Sequence, residues 1–224
     1  MSVKLCVCLT GTTFQECADF LSSTNADLIE HRMDFMKPII KLDELYSLSD
    51  IPIIATCRSP KEGGLFEGNE SDRIECLVKA IEHGASFVDI EIDTERRFID
   101  EVRSKAVDNN CRLILSKHYP NETPSFSDLV TCIQKMNSEG PDILKIVVTP
   151  ESIEDCRSVL QLYYLEKLKT PLIAFGLGNR GRFTRVTALF LGAPFMYVSQ
   201  DFGVSAASGQ ISLSDMRTIV GYLS

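Results

Sequence analysis

Eight short runs rich in apolar and β-branched residues recur along the chain, at residues 3–9, 27–32, 52–58, 87–93, 112–118, 143–148, 171–175 and 195–199. Their starts lie about 24 to 35 residues apart, with longer amphipathic segments between them, which is the spacing of a strand followed by a helix. Parallel strands need a crossover of a dozen or more residues, and a helix supplies it. Eight such units in 224 residues fit an α/β fold, a compact (β/α)8 TIM barrel, although an open doubly wound sheet would hold the same pattern. No linker, low-complexity tract or composition shift divides the chain, so one domain over residues 1–224 is expected.

Local signals agree with this pattern. Thr13-Phe14-Gln15-Glu16 reads as a capping box, and Thr149-Pro150 as an N-cap followed by proline at the first helical position. Gly84, Gly140 and Gly192 stand where helices should end. The second unit is the weak one, because its helix, over residues 42–48, is short.

Composition narrows the function. A net charge of -8 argues against broad electrostatic binding to nucleic acid or to an anionic membrane, yet leaves room for a small anion held by local arginines. The eight cysteines form no CxxC pair and there are only three histidines, so no metal site is expected. Unpaired thiols in apolar stretches suit a reducing compartment, and the first apolar run is too short for a signal or a membrane span; the cytoplasm is the expected location.

Strands covered by helices on one side and a barrel core on the other should be apolar, so charges within them call for a reason. Glu30 and Arg32 end the second run, Arg58 ends the third, Asp89 and Glu91 lie in the fourth, His118 ends the fifth and Lys145 sits mid-way in the sixth. Strand side chains alternate with period two, which puts Glu30 with Arg32, Asp89 with Glu91, and Ser116 with His118 on shared faces. If those faces point inward, charges from five strands meet near the C-terminal mouth of the barrel, where barrel enzymes carry their sites. The competing reading is a buried ion-pair network that merely closes one end.

Lys145, flanked by Ile143, Leu144, Ile146 and Val147, should lose proton affinity through desolvation and become a nucleophilic amine able to form a Schiff base with a ketone. Its bland alternative is a lysine snorkelling to the rim. Lys117 is a second candidate nucleophile, but alternation sends it to the helix side if His118 faces the mouth. His118 is the natural general base, and Glu91, if within reach, would orient it. The Gly176–Arg185 segment reads as a phosphate-cradling loop or, through Arg185, as a carboxylate clamp. The segment from Gly203 to Gln210 reads as a lid or a plain connector.

Taken together, Asp89-Ile90-Glu91-Ile92, Leu113 to His118, Asp142 to Lys145, Arg185, Gly209-Gln210, Glu30-His31-Arg32 and Thr56-Cys57-Arg58-Ser59-Pro60-Lys61-Glu62-Gly63-Gly64 resemble the type I 3-dehydroquinate dehydratases, Schiff-base enzymes of the shikimate pathway. The resemblance spans nearly the whole chain. It implies a (β/α)8 barrel without metal or organic cofactor that converts 3-dehydroquinate to 3-dehydroshikimate and water. By position it implies Lys145 as the Schiff-base lysine, His118 as general acid and base, and Glu91 as the residue that positions His118. It further implies Glu30, Arg32 and Arg58 at the substrate hydroxyls, Arg185 at the carboxylate and Gln210 in the closing loop, with a homodimer as the assembly. The sequence departs from the family pattern at Lys117 and Tyr119 on either side of His118, at Thr184, and at Ala206, where the family has a substrate-binding serine that Ser205 or Ser208 would replace. A class I aldolase on the same barrel, a phosphate-binding barrel isomerase and a barrel that only binds a sugar acid are the rival readings.

Overall fold

A computed structural model describes residues 3–36, 41–166, 168–201 and 207–223. All eight expected strands form: β1 (Leu5–Leu9), β2 (Leu28–Arg32), β3 (Ile53–Thr56), β4 (Phe87–Glu91), β5 (Arg112–His118), β6 (Ile143–Val148), β7 (Leu172–Gly176) and β8 (Met196–Val198). β3 and β7 begin one residue after Pro52 and Pro171, which have no N–H to give to a ladder. The strands are parallel and run in the order β7-β6-β5-β4-β3-β2-β1-β8, curling into a nearly closed (β/α)8 barrel. Among the described residues no ladder joins β7 to β8; the rings of Phe175 and Tyr197 meet at that seam, 6.3 Å apart.

The helices are α1 (Phe14–Ser23), α2 (Leu42–Tyr46), α3 (Glu70–Glu82), α4 (Arg96–Asp108), α5 (Phe126–Ser138), α6 (Ile153–Gln161), α7 (Gly178–Phe190) and α8 (Leu213–Leu223). Gly84, Gly140 and Gly192 follow α3, α5 and α7 with positive φ, as C-terminal caps should. Two capping expectations change. Thr13 does cap α1, but Glu16 turns its carboxylate to the N–H and hydroxyl of Thr12, so the box closes one residue early. α6 starts at Ile153, capped reciprocally by Ser152 and Asp155, not at Thr149. The proline after Thr149 pushes that residue away from helical geometry, and its hydroxyl donates to the carbonyls of Tyr119 and Pro120.

Alternation divides the apolar residues into two cores. Ile29, Ile90, Leu115 and Ile146 face outward and pack the helices onto the barrel, while Ile54, Ile114, Ile143 and Ile173 fill its interior. Each such isoleucine, fully buried, contributes about 1.5–3 kcal/mol relative to exposure. Above that filled layer the inward row turns polar. Ladder register sets Glu91, Ser116 and Lys145 at one level across β4, β5 and β6, and Arg32, Thr56 and Asp89 at another across β2, β3 and β4. Among the described residues no helix is long and apolar enough to cross a membrane. All eight cysteines are free thiols, six of them buried.

Candidate active site

The polar layer floors a cavity of about 210 Å³ at the C-terminal mouth, lined by Lys145, His118, Glu30, Arg32, Arg58, Arg185 and Gln210 among others. A space of this size suits one small molecule. Lys145 stands on its floor, 3% exposed. Its surroundings are not the apolar ones suggested by its neighbours along the strand. The ammonium donates to Asp89 Oδ2 at 2.9 Å and Glu30 Oε1 at 3.3 Å, and lies 4.1 Å from the centre of the Tyr197 ring. Burial alone would raise both acids; Arg58 and Lys145 outweigh it at Asp89, and Lys145 and Arg32 at Glu30, so both stay below the ordinary carboxylate range. Glu30 also accepts from the Thr56 hydroxyl at 3.1 Å and the Cys8 thiol at 3.2 Å.

Arg58 is wholly committed: it pairs with Asp89 at 2.8 Å and Glu91 at 2.9 Å and donates to the Ser116 hydroxyl at 2.9 Å. Arg32 pairs with Asp34 at 2.7 Å while still bordering the cavity. The ion-pair network at this end of the barrel also lines the pocket.

Glu91 corrects the expectation for His118. Its oxygens accept from Arg58, from Arg73 at 2.7 Å and from the Ser59 N–H at 3.0 Å, so it braces two buried arginines rather than the imidazole. The residue that orients His118 is Glu62, from the 3-10 turn Pro60–Glu62 after β3. One oxygen, Oε2, accepts from the His118 N–H at 2.8 Å and meets Nδ1 at 3.0 Å. A carboxylate at Nδ1 assigns the proton there and leaves Nε2 as the base. Burial, then the cations of Arg58 and Lys145, hold His118 well below its ordinary value, so the imidazole is neutral at pH 7.

Arg185 is fully buried, and among the described residues it forms no ion pair with a carboxylate. Its Nη1 donates to the Tyr197 carbonyl at 3.4 Å and its guanidinium covers the Phe175 ring at 4.1 Å, while Nε and Nη2 have no hydrogen-bond partner among the described residues. Burial lowers it to about 10, so it remains a cation. This favours the carboxylate clamp over the phosphate loop. The glycine-rich stretch is the first turn of α7, Gly178 N–H is spent on the Ser208 carbonyl, and Gly181 is glycine because a Cβ there would come within 2.4 Å of Gly176.

Gln210 reaches the site, donating to Cys8 Sγ at 3.2 Å, and Ala207 and Ser208 line the cavity rim. Gly203, Ser205 and Ala206 lie outside the described residues. Cys8, Asp89, Glu62 and Tyr197 are the members that sequence reasoning left without a role; Glu62 at least stood inside the quoted Arg58 to Gly64 motif. Among the described residues no cluster of three or more His, Cys, Asp or Glu is placed to hold a metal ion.

Comparison with known proteins places this geometry. Residues 5–224 match the family model described as Type I 3-dehydroquinase. The 3-dehydroquinate dehydratase of Methanothermobacter thermautotrophicus is 36% identical over 228 residues, covering 100% of this chain and 98% of that protein. That of Desulfotalea psychrophila is 34% identical over 220 residues, covering 97% of each. The crystal structure of 3-dehydroquinate dehydratase from Geobacillus kaustophilus superposes with a TM-score of 0.91 at 28% identity, covering 100% of this chain and 91% of that one. The type I enzyme from Clostridium difficile, solved with covalent modified comenic acid, gives 0.89 at 25% identity over 99% and 92%. With a family match over nearly its full length, relatives above 30% identity and a shared barrel, the chain belongs to the type I 3-dehydroquinase family.

Proposed function

We propose that this chain, as one catalytic unit over residues 1–224, dehydrates 3-dehydroquinate to 3-dehydroshikimate and water through a Schiff base on Lys145. One observation carries the reading: a primary amine, a neutral imidazole and a buried guanidinium with two nitrogens unpartnered among the described residues border a single small cavity. His118, the neutral imidazole bordering the same cavity, takes a proton from Lys145, the amine adds to the ring ketone, and that proton is returned to the carbonyl oxygen. Loss of the carbonyl oxygen as water leaves an iminium that draws electrons from the adjacent carbon. His118 takes a proton from that carbon, and the electron pair moves toward the iminium nitrogen. When the pair returns, the hydroxyl on the next carbon departs with a proton from His118, forming the ring double bond. Water then hydrolyses the iminium, which frees the product and restores the amine, so one water is lost overall.

Arg185 donates from its fork to the substrate carboxylate, while Glu30, Arg32 and Gln210 hold the hydroxyls and Arg58, beside them on the cavity wall, fixes Asp89. The small-molecule substrate, a homodimer and a cytoplasmic setting belong to the same proposal, and the reading uses no cofactor. Incubation with 3-dehydroquinate should generate the absorbance of a conjugated enone at a rate proportional to enzyme; an unchanging spectrum would overturn it.

A further inference from the structure

Lys117 is the residue beside His118 that alternation turns away from Lys145. It lines a second, polar cavity rather than the one that holds the amine. Its ammonium is nonetheless tied to the reaction centre through a single carboxylate. Nζ donates to Glu62 Oε1 at 2.9 Å and pairs with Asp93 at 2.9 Å, while the other Glu62 oxygen takes both the backbone N–H and Nδ1 of His118. Glu62 is 7% exposed, and its three contacts hold both carboxylate oxygens in place. We infer that Lys117 is a positioning residue for the reaction: by anchoring one oxygen of Glu62 it keeps the other, as an anion, on Nδ1 of His118. The inference rests on the proposed role of His118 as base.

Burial pushes Glu62 up, and the cations that oppose it are Arg58 and Lys117. Arg58 is already shared between Asp89 and Glu91, so Lys117 is the cation whose hydrogen bond Glu62 receives. The other charges around the pair are Lys61 after β3, Glu91 and Asp93 at the end of β4, and Lys135 of α5, which reaches Asp93 at 3.5 Å. Glu70 and Arg73 of α3 and Glu95 before α4 line the far side of the polar cavity. On the inner side, Asp89 and Lys145 face His118. Removing Lys117 takes a cation from Glu62, so that carboxylate binds a proton at higher pH; the anion it leaves also favours the imidazolium more strongly. Both changes raise the pH at which the Glu62–His118 pair takes up its proton, and the pair titrates as one unit.

The test is the pH profile of kcat/KM, measured with 3-dehydroquinate on the full chain. Lys117→Met should move the acid limb upward by about one pH unit. It should also lower kcat at pH 6 more than at pH 8 and leave KM within about two-fold. Lys117→Arg, which keeps the cation, should leave the limb where the wild type has it. If Lys117→Met does not fold, Lys117→Gln gives the same comparison. A uniform loss of rate with an unmoved limb overturns the inference, as does an equal shift in the arginine variant. Borohydride trapping of substrate on Lys145 in the wild type separates the two levels: without trapping the proposed mechanism falls, whereas trapping with an unmoved limb removes Lys117 alone.

Discussion

Arg185→Met separates binding from stability, because the two effects have opposite signs. Burial brings the Arg185 guanidinium down from its ordinary value, by more than two pH units, to about 10. At about 1.36 kcal/mol per pH unit, holding this charge inside the free protein costs about 3 kcal/mol. Contact with the Phe175 ring returns up to about 2 kcal/mol of it. Methionine has a similar reach and no charge, so the free variant should be more stable by about 1 kcal/mol, or about 2–4 °C in Tm for a chain of this size. Binding should suffer instead. Two charge-assisted hydrogen bonds from Nε and Nη2 to a substrate carboxylate are each worth about 1.5–3 kcal/mol. Their loss should lower kcat/KM by about 10²- to 10⁴-fold, carried mainly by KM. Circular dichroism melts without substrate and enone absorbance at varied substrate read both quantities. A Tm several degrees lower together with an unchanged KM would refute the argument, because Arg185 would then be a structural cation with no anion to meet.

Glu62 and Glu91 should separate in the same way. Glu62→Gln should lower kcat about 10²-fold by releasing His118, with little change in Tm. Glu91→Gln leaves Arg58 and Arg73 buried and half-paired, a cost of about 3–5 kcal/mol that thermal melts would register as a clear drop in Tm. The reverse pattern would return Glu91 to the imidazole. His31, buried on the helix side with Nδ1 against the Tyr46 hydroxyl at 3.0 Å, is lowered by burial to about 4. An unfolded imidazole takes its proton near 6.5, so between those values the unfolded chain binds more protons and stability falls as pH falls, by about 3 kcal/mol in all. Denaturant midpoints from pH 7 to pH 4 should therefore decline less in His31→Gln; parallel slopes in the two proteins would contradict this.

The barrel was legible because its strands are the chain's apolar β-branched runs, and period two correctly turned Glu30, Asp89 and Lys145 inward and Lys117 outward. What alternation does not supply is the identity of neighbours across the barrel. The residues flanking Lys145 in sequence suggested an apolar pocket, but adjacent side chains on a strand point the other way. Its partners, Asp89 and Glu30, come from β4 and β2, 56 and 115 positions distant. Glu62 was missed as the orienting residue for a related reason: it sits in a turn, where no period assigns a face, and reaches His118 across 56 positions. Glu91, in contrast, had the right face and the wrong partner, since parity does not tell an imidazole from the two arginines that lie closer. Cys8 and Tyr197 were hidden because each reads as an ordinary apolar strand residue. The glycines before Arg185 looked like a loop, and only the approach of Gly181 to Gly176 shows why glycine stands in the first turn of α7.

The central claim is that the nitrogen of residue 145 bonds covalently to a ring ketone. Mass spectrometry of peptides after borohydride reduction in the presence of 3-dehydroquinate tests it most directly. A single irreversible adduct on the peptide containing Lys145, dependent on the substrate, is the predicted result; an unmodified chain, or an adduct on Lys117 instead, would contradict it.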